Sequence, residues 1–107
     1  MKIVNRIKDS EDFALTIKKG RTYRNDSFVI HIAKTDSDHT RVGVSVSTKI
    51  GNAVVRNRVK RQVRAMADSL VDYDKQSYDI VIIIRKPFLD VGFHDNKSLL
   101  SELLIYR

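Results

Sequence analysis

The sequence contains no cysteine. That excludes disulfides, thiolate metal sites and a cysteine nucleophile together, and it fits a reducing compartment. Long apolar runs are also missing. The longest, Ile80–Ile84, is far too short to cross a bilayer. The opening MKIVNRIKDSED holds no apolar stretch of signal-peptide length. Neither low-complexity tracts nor internal repeats occur. A cytoplasmic protein is expected, with no membrane partner.

Acidic residues are absent from one window, and this absence says the most. Arg56–Arg64 carries five basic residues and no carboxylate, supplying five of the net seven positive charges of the chain. The rest of the sequence is nearly balanced. Focused positive charge of this kind attracts polyanions. At 107 residues the chain is sized for one domain, 1–107. Such a chain buries roughly two thirds of its unfolded surface, enough for a single core.

Residues 1–8 read as a flexible basic arm with a short ordered end. Asp9 or Ser10 can cap a helix over DSEDFALTIKKG. Glu11 and Asp12 suit its first turn, Lys18 and Lys19 its last, and Gly20 its C′ position. Phe13, Ala14 and Ile17 form the apolar side. Ser27–Thr35 reads as a strand, and TDSDHT as a turn. Arg41–Ser47 alternates: Val42, Val44 and Val46 face one way, Gly43, Ser45 and Ser47 the other. It is expected to form a hairpin with the preceding strand. A break at Lys49–Asn52 leads into a helix ending near Val71. SYDIVIIIRKP is apolar on both faces, so it predicts a central strand ended by Pro87. A loop follows over FLDVGFHDN, then a terminal helix capped by Asp95 or Asn96, with Leu99, Leu100, Leu103 and Leu104 on its apolar side. GRTYRND can add a short strand. The fold class is α+β: a two-layer sandwich with one central mixed sheet and helices at both ends.

On a helical wheel with Val59 at zero, Val55, Val63, Met66 and Leu70 fall within about 40°. Asn57, Lys60, Arg61 and Arg64 cluster near the opposite pole, with Arg56 and Arg58 on the flanks. Solvated helices ordinarily mix signs, because like charges at i, i+4 repel. Arg56 with Lys60, and Lys60 with Arg64, are two such repelling pairs. Asn57 is a mediocre helix-interior residue. A helix that tolerates these costs gains from an anionic partner. Arginine favours bidentate phosphate contacts, and Asn57 can read a base edge or a ribose hydroxyl. Nucleic acid is preferred to membrane, since the face opposite the charge belongs to the core and carries no exposed Trp, Phe or Leu to enter lipid.

KIGNAVVRNRVKRQVR followed by YDIVIIIRKP resembles bacterial ribonuclease P protein subunits. The resemblance is carried by Lys49, Gly51, Asn52, Ala53, Val54, Arg56-Asn57-Arg58, Lys60-Arg61 and Arg64. RVGVSVS, Arg85-Lys86-Pro87 and Asp12–Gly20 extend it from about Asn5 to Tyr106. It implies that the basic helix is a crossover between two parallel strands, and that this crossover is left-handed, against ordinary βαβ preference. It implies the protein part of an endoribonuclease that removes 5′ leaders from precursor tRNA. The RNA subunit would carry the chemistry with Mg²⁺, and the protein would have no catalytic residue and no metal of its own. By resemblance, Arg56, Asn57, Arg58, Lys60, Arg61 and Arg64 contact the RNA subunit. Lys49 and Asn52 extend that surface, and Arg85 and Lys86 touch RNA at the sheet's edge.

For the small polar strand face, the residues alone leave two readings: plain solvent exposure, or a cleft floor. The resemblance implies a cleft for the single-stranded leader, built with Phe13, Ile17, His31, Ser45 and Ser47. Phe13 could equally belong to the core. Ile17 and His31 depart from the aromatic pattern of the family, which implies weaker stacking. His31, His39 and His94 share no spacing that suggests catalysis. A ribosomal or general structured-RNA-binding protein is the alternative function. A helix reading duplex DNA and a protein-only hydrolase are more distant ones, and no DNA partner is expected.

Overall fold

The first helix begins where Asp9 accepts a hydrogen bond from the Glu11 backbone N–H at 2.9 Å. In the computed structural model, which describes residues 1–104, helix α1 spans Ser10–Lys19. Acids occupy its first turn and lysines its last, matching the helix dipole. Gly20 closes it with φ −72°, outside the left-handed region. Glycine is needed there for closeness, because a β-carbon would lie 2.6 Å from the Thr16 carbonyl oxygen and 3.0 Å from the Ile32 backbone. The buried side of α1 differs from expectation. Ala14 is exposed and Thr16 is buried. The Thr16 hydroxyl satisfies itself by donating to the Asp12 carbonyl at 2.8 Å.

Four strands follow: β1 Arg21–Arg24, β2 Phe28–Lys34, β3 Arg41–Ser45 and β4 Tyr78–Ile84. Their spatial order is β1-β2-β4-β3. β2 pairs antiparallel with both β1 and β4, and β3 pairs parallel with β4. The expected hairpin between β2 and β3 is therefore not formed. β4 is apolar on both faces and takes the place between them, with Ile80, Val81 and Ile82 fully buried. The 35–40 connection is instead tied to the approach to β4. Thr40 is fully buried. Its N–H donates to the Tyr73 carbonyl at 2.8 Å. Its hydroxyl donates to the Gln76 carbonyl at 2.7 Å and accepts from the Tyr78 N–H at 3.1 Å.

Helix α2, Ala53–Leu70, connects β3 to β4, and helix α3, Phe93–Leu103, follows a 3-10 segment at Lys86–Asp90. The core lies between these helices and one sheet face. Phe28, Ile30, Ile32, Val42, Val44, Ile80, Ile82 and Ile84 meet Val59, Val63, Met66, Ala67, Phe88 and Leu100. Val55 and Leu70 lie partly buried at either end of the α2 stripe. Each fully buried side chain of this size contributes about 1.5–3 kcal/mol.

Two boundaries move. Within the segment 1–8, expected as a flexible arm with a short ordered end, Arg6 and Ile7 lie against the outer edge of β3. Arg6 bridges Val42, the Ile7 N–H donates to the Val42 carbonyl at 3.1 Å, and Asn5 and Ile7 are each 5% exposed. An outer strand presents unpaired backbone groups, and this segment engages those of Val42. The terminal helix starts earlier than expected, with Gly92 rather than Asp95 or Asn96 at its cap. Asn96 is 1% exposed and holds the corner together. It accepts from the Ser27 hydroxyl at 2.6 Å and donates to the carbonyls of Phe88 and Val91 at 3.0 and 3.1 Å. Tyr106, included in the expected terminal helix, lies outside the described residues.

Candidate nucleic-acid interface

The start of α2 is set by Asn52, whose side-chain oxygen accepts from the Val55 N–H at 3.0 Å. Sequence reading put Asn52 among the RNA contacts. Its amide NH₂ remains available for that, but its oxygen is committed to the helix. Gly51 lets Val55 fold back over the turn, where a β-carbon would come within 2.9 Å of Val55 Cγ1. With Val59, Val63 and Met66 turned inward, Asn57, Arg58 and Arg61 are exposed, and Arg56, Lys60 and Arg64 are half-buried. Among the described residues no carboxylate pairs with any of these five cations. The first acid beyond them, Asp68, is engaged by the Met1 ammonium at 2.8 Å and the Tyr73 hydroxyl at 2.7 Å. Burial, together with the nearby charge of Arg6, lowers the Arg64 pKa below the ordinary arginine value. The face is thus a concentration of uncompensated positive charge, and its N-terminal end gains from the helix dipole.

The second surface is the sheet face opposite the core. Cross-strand pairing sorts its residues into rows. One row is Ala33, Asp79 and Arg41; the next is Thr22, His31, Val81 and Gly43; the last is Arg24, Val29, Ile83 and Ser45. α1 lies across the first two. Arg41 grips Asp79 through two hydrogen bonds, Nε to Oδ1 at 3.0 Å and Nη2 to Oδ2 at 2.8 Å. It also reaches Asp12 of α1 at 3.3 Å. Phe13 lies over Gly43, where any β-carbon would overlap its ring. The Arg24–Ser45 row is left as an open floor. Phe13 and Ile17, one helical turn apart, form the wall beside it, with Ile17 41% exposed.

The expected cleft residues meet here unequally. Ser45 is in the floor. Ser47 falls beyond the end of β3, in a turn where its hydroxyl accepts from the Lys49 N–H at 3.3 Å. His31 belongs to the covered row and is only 9% exposed, so little of its ring is offered for stacking. Its Nδ1 is hydrogen-bonded with the Thr22 hydroxyl at 3.0 Å. Burial, and secondarily the charge of Arg24, lowers its pKa below the ordinary histidine value. Sequence reading missed Arg24, Val29 and Ile83. The signal was present: Val29 and Ile83 occupy the odd positions of strands whose even positions form the core.

The two surfaces share one end of the sheet. β3 and β4 run parallel, so Ser45, Ile83 and the start of α2 gather at their C-terminal ends, together with Arg24 at the end of β1. Lys49, Arg85 and Lys86 flank the same end and are exposed. Arg85 donates to the Asn25 carbonyl at 2.6 Å, which leaves part of its guanidinium facing outward.

Among the described residues no three His, Asp, Glu or Cys side chains come together as a metal site. The histidines are dispersed: His39 lies on Asp38 and the Val4 carbonyl, and His94 packs edge-on against Phe93. No helix among the described residues is long and apolar enough to cross a membrane.

Comparison with known proteins gives one answer. The Ribonuclease P family model matches residues 1–106. The ribonuclease P protein component of Listeria welshimeri is 41% identical, covering 100% of this chain and 92% of that protein. The component from Oceanobacillus iheyensis is 46% identical over 97% of this chain and 87% of its own length. Solved structures agree. The RNase P protein of Staphylococcus aureus has a TM-score of 0.82 at 36% identity, covering 94% of this chain and 92% of that one. That of Thermotoga maritima has a TM-score of 0.81 at 32% identity, covering 95% and 97%. A basic crossover helix on a half-covered sheet, matched in sequence and in shape along nearly its whole length, makes this chain a member of the ribonuclease P protein family.

Proposed function

We propose that the protein holds two RNAs at once during 5′ maturation of tRNA. The RNA subunit of ribonuclease P lies on α2, and the leader of precursor tRNA lies in the cleft beside α1. Family membership makes the chain the protein component of an endoribonuclease that works with an RNA subunit. The observation that carries the rest is the cationic face of α2, which has no carboxylate partner within the described chain and is held rigid by its buried stripe. Arg56, Arg58, Lys60, Arg61 and Arg64 neutralise phosphates of the RNA subunit, and Asn57 adds a hydrogen-bonding group among them. Lys49, Arg85 and Lys86 continue the positive field toward the cleft.

In the cleft, Val29 and Ile83 give an apolar floor for bases, Phe13 a ring edge, and Ser45 a hydroxyl that leaves room for a backbone. Phosphodiester cleavage belongs to the RNA subunit with Mg²⁺. Among the described residues no cluster of metal ligands is present, and no residue of this chain is assigned a metal step. The chain's own contributions are to bind, to orient the leader, and to lower repulsion between two polyanions. The setting proposed is cytoplasmic.

Reconstitution tests this. Purified protein added to the RNA subunit at near-physiological salt and low Mg²⁺ should enhance cleavage of precursor tRNA. Absence of enhancement, with RNA binding intact, would point instead to a general structured-RNA-binding protein.

A further inference from the structure

The Arg24 guanidinium is a charge with no assigned task. It closes the open row Arg24–Val29–Ile83–Ser45 at the β1 edge, opposite the end where β3 and the Phe13 ring lie. Arg24 is exposed, and among the described residues no carboxylate or hydrogen-bond acceptor engages its side chain. Its charge is felt by His31 on the same sheet face. Its backbone is held firmly. The next residue, Asn25, accepts from the N–H groups of Ser27 and Phe28 at 3.2 and 3.1 Å and donates to the Leu99 carbonyl at 2.9 Å.

We propose that Arg24 is a phosphate anchor for the single-stranded leader, gripping its backbone at the β1 end of the cleft while bases lie over Val29 and Ile83. The inference rests on the cleft reading above. Its logic is substitution of one kind of contact for another. Ile17 cannot stack, and His31 is largely covered. Stacking in this cleft is therefore weak, and a guanidinium on the floor's far edge supplies affinity that does not depend on which base is present. The β1–β3 separation is about three strand spacings, roughly 14 Å, so a leader crossing the floor meets Arg24 and the Phe13 wall with different nucleotides.

The test uses the assembled holoenzyme with Arg24→Gln, Arg24→Lys and Val29→Gln. Affinity is measured for precursor tRNA carrying a leader and for the same tRNA without one, across a salt series. Melting temperatures confirm folding. Arg24→Gln should weaken leader-bearing substrate about three- to fivefold, the scale of an exposed ion pair. It should flatten the log–log salt slope by about 0.7 and act alike on leaders of different sequence. Leaderless tRNA should be unaffected, and Arg24→Lys should retain most of the affinity. If Arg24→Gln changes nothing while Val29→Gln weakens leader binding, the cleft stands and the anchor is wrong. If neither changes leader binding, the cleft reading falls and takes the anchor with it. Equal losses with and without a leader would also overturn the proposal, moving Arg24 to the tRNA body.

Discussion

The Phe13 ring rests on the bare backbone of Gly43, so α1 is fitted to β3 by the absence of a side chain. Gly43→Ala should therefore push the ring and its helix off the sheet. The expected cost is about 1–3 kcal/mol in chemical denaturation, the range of overpacking changes. Leader affinity should fall with it. Phe13→Ala in the same molecule should recover much of the loss attributable to Gly43→Ala. Strict additivity of the two changes would show that the ring does not sit where described.

The charged face and the buried stripe of α2 should respond to mutation in opposite ways. Arg58→Ala and Arg61→Ala should weaken binding to the RNA subunit and lower the salt slope by about one unit each. Melting temperature should barely move. Val59→Asp, one residue from Arg58 but 1% exposed, should unfold the protein by burying an unpaired charge. A large stability loss in Arg58→Ala would mean that the face is structural.

Two histidines should give opposite pH dependences. Both ring nitrogens of His39 meet oxygen atoms, Asp38 Oδ1 at 2.7 Å and the Val4 carbonyl at 3.0 Å. The hydrogen bond to Asp38 raises its pKa above the ordinary value. Its stabilising contribution is complete below about pH 6.5 and disappears as pH rises through the raised value. His31 has a lowered pKa, from burial first and Arg24 second. Its contribution is present above about pH 6.5 and is lost as pH falls through the lowered value. Denaturation midpoints measured from about pH 5 to 8 should show His39→Gln removing the alkaline loss and His31→Gln the acidic one. NMR titration of the imidazoles would contradict this if both followed the same curve.

Asn96 joins three carbonyl or hydroxyl groups at a buried corner. Asn96→Leu should cost roughly 2–4 kcal/mol, a few buried hydrogen bonds at about 1 kcal/mol each. RNA affinity per folded molecule should stay the same, since the Asn96 side chain is 1% exposed and turned into the corner, where it offers RNA no contact. Equilibrium unfolding with unchanged m-value is the measurement; a change under about 0.5 kcal/mol would mean that the corner is not held by this side chain.

The helix wheel made α2 legible in advance because its apolar residues recur at 3.6-residue spacing and its charges do not mix. Val59, Val63 and Met66 fell where periodicity put them. Strand pairing was harder. Alternation in Arg41–Ser45 revealed which side chains share a face, but not which neighbour the strand would take. That depended on β4, whose two apolar faces compete for the central position from more than thirty residues away. The cleft was half visible for the same reason. Phe13 and Ser45 could be named from the sequence and the family pattern. Arg24, Val29 and Ile83 become neighbours only through the register of three strands. The N-terminal segment looked basic and irregular, and its course follows from partners distant in the chain, Val42 at the edge of β3 and Asp68 on α2. Asn96 resembled a helix cap in sequence, but the corner it serves is formed by Ser27, Phe88 and Val91, far apart or irregular in the chain.

The cap made by Asn52 has a rotational consequence. Adjacent residues on an α-helix differ by about 100° in azimuth. If the start of α2 were turned by one residue relative to β3, Arg61 would leave the outer pole and part of the valine stripe would turn toward solvent. The hydrogen bond from the Val55 N–H to Asn52 fixes that starting point. The cap at Asn52 and the buried stripe of Val59, Val63 and Met66 thus set the phase of the positive face together, so Asn52 bears on RNA affinity through angular alignment even where it touches no nucleotide.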